Sequence, residues 1–262
     1  MKSAEPINPP SNYYIIDDKF GKGARNNAVI KAIGKETKQM VIIKALSQLN
    51  FGKWVSREIT AARKLREIPY TPNLLELSVC GTMHYLVFEF INEKNLFDLI
   101  EESGFKPFPI EKCKFIIRVL LRTVSACHKK GVAHRDIKLE NIVLDAHGIP
   151  HIIDFGLCYF GSHFDMIDEY PGSHDYASPE VYNTVPHNPF SVDIWCLGII
   201  FFVILTGSYP FDNKVKRNFN IIYPKDAQIP DEAKVIIESM LVKNPMKRKT
   251  CDELLSYDWL KD

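Results

Sequence analysis

The chain has no cysteine pair at metal-ligand spacing, no unbroken apolar run long enough to cross a bilayer, no charge excess and no repeated or low-complexity tract. Each absence excludes something. The six cysteines, Cys80, Cys113, Cys127, Cys158, Cys196 and Cys251, are scattered, so they read as buried free thiols in a reducing compartment and not as a zinc site. Ile194–Leu205 is apolar throughout but only twelve residues long, short of the ~20 that a spanning helix needs. It is expected as a buried core helix. Met1–Asn12 is polar, contains proline and lacks the apolar segment of a signal peptide. With 33 basic against 32 acidic side chains the net charge is +1, which gives no argument for nucleic acid or membrane as the main partner. The expectation is a cytoplasmic or nuclear protein with no membrane insertion.

What is present is an ordinary globular composition, 46% hydrophobic and 25% charged over 262 residues, sufficient for a sizeable core. Residues 14–46 alternate β-branched runs with glycine and polar turns, which predicts an antiparallel sheet. Val55, Ile59, Ala62 and Leu65 form one stripe of a helix expected over Lys53–Ile68, ended by Pro69 and Pro72. Tyr85–Phe90 reads as a further strand and Asn92–Lys94 as a polar connector. Helical patterns dominate from Leu96. The clearest spans Ile110–Lys130, with Pro109 at its start, a cationic last turn and Gly131 as the stop. Ile142–Leu144 and His151–Ile153 flank a short hairpin turn.

That hairpin carries a polar string at each end. Before it stands His134-Arg135-Asp136-Ile137-Lys138-Leu139-Glu140-Asn141, and thirteen residues after Asn141 comes Asp154-Phe155-Gly156. An Asp there can accept a proton from a hydroxyl, and a Lys can neutralise a phosphoryl group in transit. An Asn and a second Asp supply the hard oxygen ligands that Mg²⁺ prefers. Phosphoryl transfer needs that set, because the protein's part is positioned charge and metal. The bland reading, a solvated polar turn, fills none of these roles in register.

Upstream, Gly21-Lys22-Gly23 lies between two expected strands, where glycine lets a backbone approach phosphates. Alone it is no more than a hairpin turn. Lys44 follows 23 residues after Gly21 and shares a strand face with Ile42. A lysine ending an apolar strand is usually a snorkelling surface residue. Glu58, however, points with the apolar stripe of its helix, and an inward carboxylate needs a cation. Lys44 is the candidate.

Taken together, the two strings, the glycine turn and the Lys44–Glu58 pair resemble the eukaryotic-type serine/threonine protein-kinase catalytic domain. The resemblance runs from about Tyr14 to the end. Tyr176-Ala177-Ser178-Pro179-Glu180, with Gly172-Ser173 before it, is most similar to the calcium/calmodulin-dependent group, in its AMP-activated-kinase-related branch. The fold implied is α+β and bilobal, a small β-rich lobe with one main helix and a larger helical lobe. Residues 1–13 would be a short extension and 14–262 the kinase domain. Within it the small lobe is expected over about 14–88, the connector over about 89–94 and the large lobe over about 95–262.

The resemblance implies ATP and Mg²⁺ as cofactors and the γ-phosphoryl as the group transferred to Ser/Thr hydroxyls of protein substrates. It assigns Asp136 as base, Lys138 to the γ-phosphate, Lys44 and Glu58 to orienting the phosphates, and Asn141 and Asp154 to metal. Phe20, Gly21, Gly23, Ala28, Val29 and Ile42 would hold the nucleotide from the sheet. Lys44, Phe88 as gatekeeper, Glu89, Ile91 and Val143 would complete its site. Arg248 is implied as the partner of Glu180, and Asp193 as a support for the catalytic loop's backbone.

Several positions depart from the family pattern. Asn26 stands for the third loop glycine and Arg25 for the aromatic tip, while the following valine is either Ala28 or, with one inserted residue, Val29. Ile42 replaces a small residue over the base, so a tight nucleotide site is expected. No Thr lies between Asp154 and Glu180. The position that relatives phosphorylate is Glu169, read as a partial substitute whose partner is Arg135. Ser162, Tyr170 and Ser173 are candidate phosphosites, with Ser173 read first as shaping the substrate groove. Asn95 replaces an acid of basophilic relatives, whereas Glu140 keeps another. The sequence ends at Asp262 after the last expected helix, so regulation is expected from an upstream kinase, a regulatory subunit, localisation or the activation loop. A pseudokinase scaffold is the competing reading, and a small-molecule kinase of related fold a third.

Overall fold

In the computed structural model, residues 10–22, 28–211 and 219–261 are described. They fall into two compact units. The first holds the chain up to Glu67 together with Pro72–Ile91 and Asp154–Gly156; the second holds Ile68–Thr71, Asn92–Ile153 and the chain from Leu157.

The first unit is built on an antiparallel sheet of five strands in the order β1-β2-β3-β5-β4. These are β1 (Tyr13–Lys22), β2 (Ala28–Gly34), β3 (Met40–Ser47), β4 (Leu74–Cys80) and β5 (Met83–Glu89). Strand alternation sorts side chains onto two faces. Ile30, Ala32, Val41, Ile43, Ala45, Tyr85 and Val87 form one buried cluster. Leu46, Leu86 and Phe88 form another with Val55 of α1 (Gln48–Lys64), joined by Ile59 and Ala62 of the expected stripe. Pairing of Val29 with Lys44, and of Lys31 with Ile42, puts these four on the α1 side.

Two boundaries differ from expectation. Helix α1 begins directly after β3, at Gln48, and ends at Lys64 with Leu65 already off-helix at ψ 4°. Asn50 and Gly52 are weak helix formers, yet both lie within the helix. The stop comes before Pro69, where the Leu65 N–H closes the last turn on the Ala61 carbonyl at 2.8 Å. Strand β4 was not foreseen. It is an edge strand with Glu76 and Ser78 between apolar residues and with Leu75 and Val79 exposed, so its alternation is not that of a half-buried strand.

The second unit contains α2 (Leu96–Glu102), α3 (Ile110–Lys129), α4 (Pro179–Tyr182), α5 (Pro189–Thr206), α6 (Asp231–Met240) and α7 (Cys251–Leu255). Two ribbons, β6 (Val132–Ala133) with β9 (Tyr159–Phe160) and β7 (Ile142–Leu144) with β8 (Pro150–Ile152), carry the loops. Helix α3 runs as its periodicity predicts, and Gly131 follows it at φ 68°. Asn95 caps α2: its side chain accepts from the Asp98 N–H while the Asp98 carboxylate accepts from the Asn95 N–H.

Helix α5 corrects the twelve-residue expectation. It spans 18 residues, apolar and long enough by composition to cross a membrane, yet 94% of it is buried inside the protein. Asn188 caps its start by accepting from the Ser191 N–H, and Gly207 ends it at φ 71°, where a β-carbon would strike the Phe105 carbonyl. Asp193 lies one turn inside it.

Candidate active site

Two groups of polar side chains meet the expectations, one in each unit. In the first, Lys44 Nζ donates to Glu58 Oε1 at 2.5 Å and to Asp154 Oδ1 at 2.9 Å. The Glu58 partnership is as expected; Asp154 was assigned to metal, and its pairing with Lys44 is visible only in the fold. Burial alone would lower the Lys44 pKa, but Asp154 and Glu58 outweigh it and hold the ammonium above its ordinary value. Burial pushes the Glu58 carboxyl up, against the pull of Lys44. Gly156 lies close by, where an added β-carbon would come 3.2 Å from Asp154 Oδ1 and 3.3 Å from Glu58 Oε2.

The same sheet face carries four of the residues assigned to nucleotide: Val29, Ile42, Lys44 and Phe88. Lys44 Nζ stands 5.8 Å from the Phe88 ring centroid, and Val29 and Ile42 lie beside it by register. Ala28 does not. It faces the opposite cluster, so of the two alternatives the register sets Val29, and not Ala28, on the Lys44 side. Phe20 packs edge-on to Phe90 at 6.3 Å, and Gly21 pairs with Val29. The Glu89 carboxylate turns to the Asn73 N–H at 3.0 Å, and Ile91 closes the unit. Gly23, Arg25 and Asn26 lie outside the described residues. Val143 belongs to the second unit, bridged to Asn95.

In the second unit Asp136 is held from four sides. Its Oδ1 accepts from the Ser173 N–H at 3.0 Å and the Ser173 hydroxyl at 2.9 Å. Its Oδ2 accepts from Asn141 Nδ2 at 3.1 Å and pairs with Lys138 Nζ at 3.0 Å. Lys138 also donates to Ser173 Oγ at 2.9 Å. Sequence reading brought Asp136, Lys138 and Asn141 together but read Ser173 as shaping the groove or as a phosphosite. Its place on the catalytic pair had one signal, its distance along the chain from Glu180. Leu139 N–H donates to the hydroxyl of buried Tyr176 at 3.3 Å, a contact the sequence did not announce.

Asn141 Nδ2 also donates to the Asp136 carbonyl at 2.8 Å, so its amide nitrogen is engaged within the loop. The Asn141 amide oxygen and the Asp154 carboxylate are each hard donors of the type that Mg²⁺ takes.

Fully buried Asp193 holds the loop beneath. Its carboxylate accepts from the His134 N–H at 2.7 Å and the Arg135 N–H at 2.8 Å, and His128 Nε2 lies 3.0 Å away. These bonds stabilise a backbone in which Arg135 sits at φ 67°, a conformation costing about 1–3 kcal/mol for a non-glycine residue. The Arg135 guanidinium donates to the carbonyls of Leu157 at 2.7 Å and Glu169 at 3.1 Å. Arg248 meets Glu180 with two hydrogen bonds, at 2.8 and 3.2 Å. Its side chain is fully buried and that of Glu180 6% exposed.

Residues 14–260 match the family described as protein kinase domain. The chain is 35% identical to a CBL-interacting serine/threonine-protein kinase 17 of Arabidopsis thaliana, covering 95% of this chain and 60% of that one. It is 36% identical to CBL-interacting serine/threonine-protein kinase 1 of the same plant, over 82% of this chain and 50% of the relative. A probable myosin light chain kinase of Dictyostelium discoideum is 29% identical over 94% of this chain and 81% of its own. The chain thus spans 60% and 50% of the length of the two plant relatives. These relatives bear out the resemblance to the calcium/calmodulin-dependent group in its AMP-activated-kinase-related branch. By its family match and its relatives, the chain belongs to the protein kinase domain family, in its eukaryotic serine/threonine type.

Proposed function

We propose that this protein transfers the γ-phosphoryl group of MgATP to Ser/Thr hydroxyls of protein substrates. The observation that carries the reading is the Asp136–Ser173–Lys138–Asn141 cluster, in which one carboxylate is oriented by three neutral donors and a cation. An acceptor hydroxyl donates to Asp136, which takes its proton as the oxygen–phosphorus bond forms. The bond from the γ-phosphorus to its bridging oxygen breaks, and the nucleoside diphosphate leaves. Lys138 neutralises charge on the phosphoryl group in transit. Lys44, fixed by Glu58 and Asp154, is the cation for the α- and β-phosphates. Asn141 and Asp154 would hold Mg²⁺, whose charge offsets that of the phosphates when it is bound.

A scaffold without transfer activity gains no support, because each charged group that the reaction requires is present and paired. Glu169 is read as a partial substitute for a phosphate, giving some activity without an upstream kinase; Arg135 donates to its main-chain carbonyl. Regulation by a further subunit and residence in cytoplasm or nucleus are proposed on the same footing. The test is transfer of labelled phosphate from MgATP to a Ser/Thr peptide array by wild type and Asp136→Asn. Transfer lost in the variant supports the enzyme; no transfer from folded wild type overturns it.

A further inference from the structure

His187 is a buried side chain that the proposed chemistry does not use. It lies between α4 and α5, 2% exposed. Its backbone pairs with Ile167 in both directions: each N–H donates to the other's carbonyl at 2.9 Å. Its ring stands edge-on to Tyr170, centroids 6.1 Å apart. The Tyr170 hydroxyl donates to the Ser173 carbonyl at 3.4 Å, and Ser173 in turn holds Asp136 and Lys138. The stretch 167–173 is therefore anchored by His187 at one end and by the catalytic carboxylate at the other. There is little slack between, because a β-carbon on Gly172 would strike the Arg135 carbonyl and the Tyr170 ring.

The proton state of the ring follows from its partners. Nδ1 lies 3.2 Å from the Val185 carbonyl, which only accepts, so Nδ1 carries the proton. Nε2 is buried with no hydrogen-bond partner among the described residues. A second proton would create a buried cation with an unmatched N–H, which burial penalises. Burial holds the His187 pKa below its ordinary value; the Val185 carbonyl, Glu180 of α4 and Asp168 of the segment pull the other way, while Arg135 of the catalytic loop adds to the lowering.

We propose that neutral His187 is a positioning residue for phosphoryl transfer, clamping residues 167–173 so that Ser173 orients Asp136, and that its protonation releases the clamp. The inference rests on the kinase reading above. His187 acts through Ile167 and Ser173 and touches neither substrate.

The test is steady-state kinetics between about pH 5 and 8, the range in which histidine titrates. Wild type is compared with His187→Phe, which keeps a ring without titrating, and His187→Gln, which keeps a donor for Val185. Wild type should show one proton more in the acid limb of kcat/KM for peptide than His187→Phe, an added loss of up to about tenfold per pH unit. The loss should fall on kcat, as expected for a misoriented Asp136, with the ATP KM alike in both proteins. Amide exchange at Ile167 and His187, corrected for its intrinsic pH dependence, should quicken in acid in wild type and not in His187→Phe. Parallel acid limbs, or Ile167 protection independent of pH, overturn the clamp. If His187→Phe does not fold, His187→Gln takes its place. Absence of transfer at every pH would refute the kinase reading, and amide exchange would still decide the clamp.

Discussion

At the scale of single residues, the site is a set of charges whose positions are fixed by opposite charges and by neutral donors. Ser173 gives Asp136 two donors, the backbone N–H and the hydroxyl, and the second also receives Lys138. Ser173→Ala removes only the hydroxyl. A hydrogen bond to a charged group contributes about 1.5–3 kcal/mol, so kcat should fall about tenfold to a hundredfold, and Ser173→Thr should restore it. An unchanged kcat for the alanine variant would show that the backbone donor suffices. The Glu180–Arg248 pair makes a different argument, since neither partner contacts the reacting groups. Arg248→Ala strands a buried carboxylate and should cost roughly 3–5 kcal/mol in denaturant unfolding, whereas replacing both partners by apolar residues of like volume should cost far less. Equal costs would place the effect in lost packing against Trp195, whose ring centroid lies 5.0 Å from the guanidinium.

Whole elements impose constraints that single contacts do not. Helix α5 is the core onto which α3 and α6 pack, and Gly198 is where it meets the end of α6 most closely. A β-carbon there would come 2.8 Å from Leu241 Cδ2 and 2.9 Å from Met240 Cβ. Gly198→Ala should therefore destabilise by about 1–3 kcal/mol through overpacking, read as a lower denaturant midpoint at unchanged slope. The stretch 165–169 is a second such element. It is tied by Arg135 to Glu169, by His187 to Ile167 and by Asn188 Nδ2 to the Asp165 carbonyl at 3.4 Å, and none of these ties needs a phosphate. Glu169→Ala should lower the activity of unphosphorylated protein only a few-fold, one carboxylate carrying less charge than the −1.5 to −2 of a phosphate. If activity is unchanged, the main-chain carbonyl alone anchors the segment.

At the scale of the whole molecule, predictions concern stability and linkage. If MgATP binds as proposed, a concentration of about 100 times Kd stabilises the fold by about 2.7 kcal/mol, visible as a raised Tm. Asp154→Asn should abolish most of that shift; a full shift in the variant would remove Asp154 from the binding set. His187 gives the pH dependence its sign. Its folded pKa lies below the unfolded 6.5, so the native state binds fewer protons than the unfolded chain between the two values. Its contribution to stability is present in full above the unfolded value and is lost as pH falls through the folded one. Unfolding midpoints from pH 8 to 5 should fall more for wild type than for His187→Phe.

Much of this was legible in the chain. Asp136, Lys138, Asn141 and Asp154 stand at spacings that only two short loops around a hairpin explain, and the stripe of α1 turned Glu58 inward and so demanded a cation. Helix α3 was readable because its apolar residues recur at helical spacing between Pro109 and Gly131. What the sequence by itself determined was therefore local: periodicity, caps and the chemical type of each group. Tertiary structure decided what depends on register and on distant partners. A one-residue shift along a strand exchanges its faces, so pairing with β3 was needed to choose Val29 over Ala28. Edge strand β4 has too little burial to show a pattern. Lys44 meeting Asp154, Ser173 meeting Asp136, and His187 meeting Ile167 join residues far apart in the chain. Such contacts leave no periodic trace, because they arise from packing between elements and not within one.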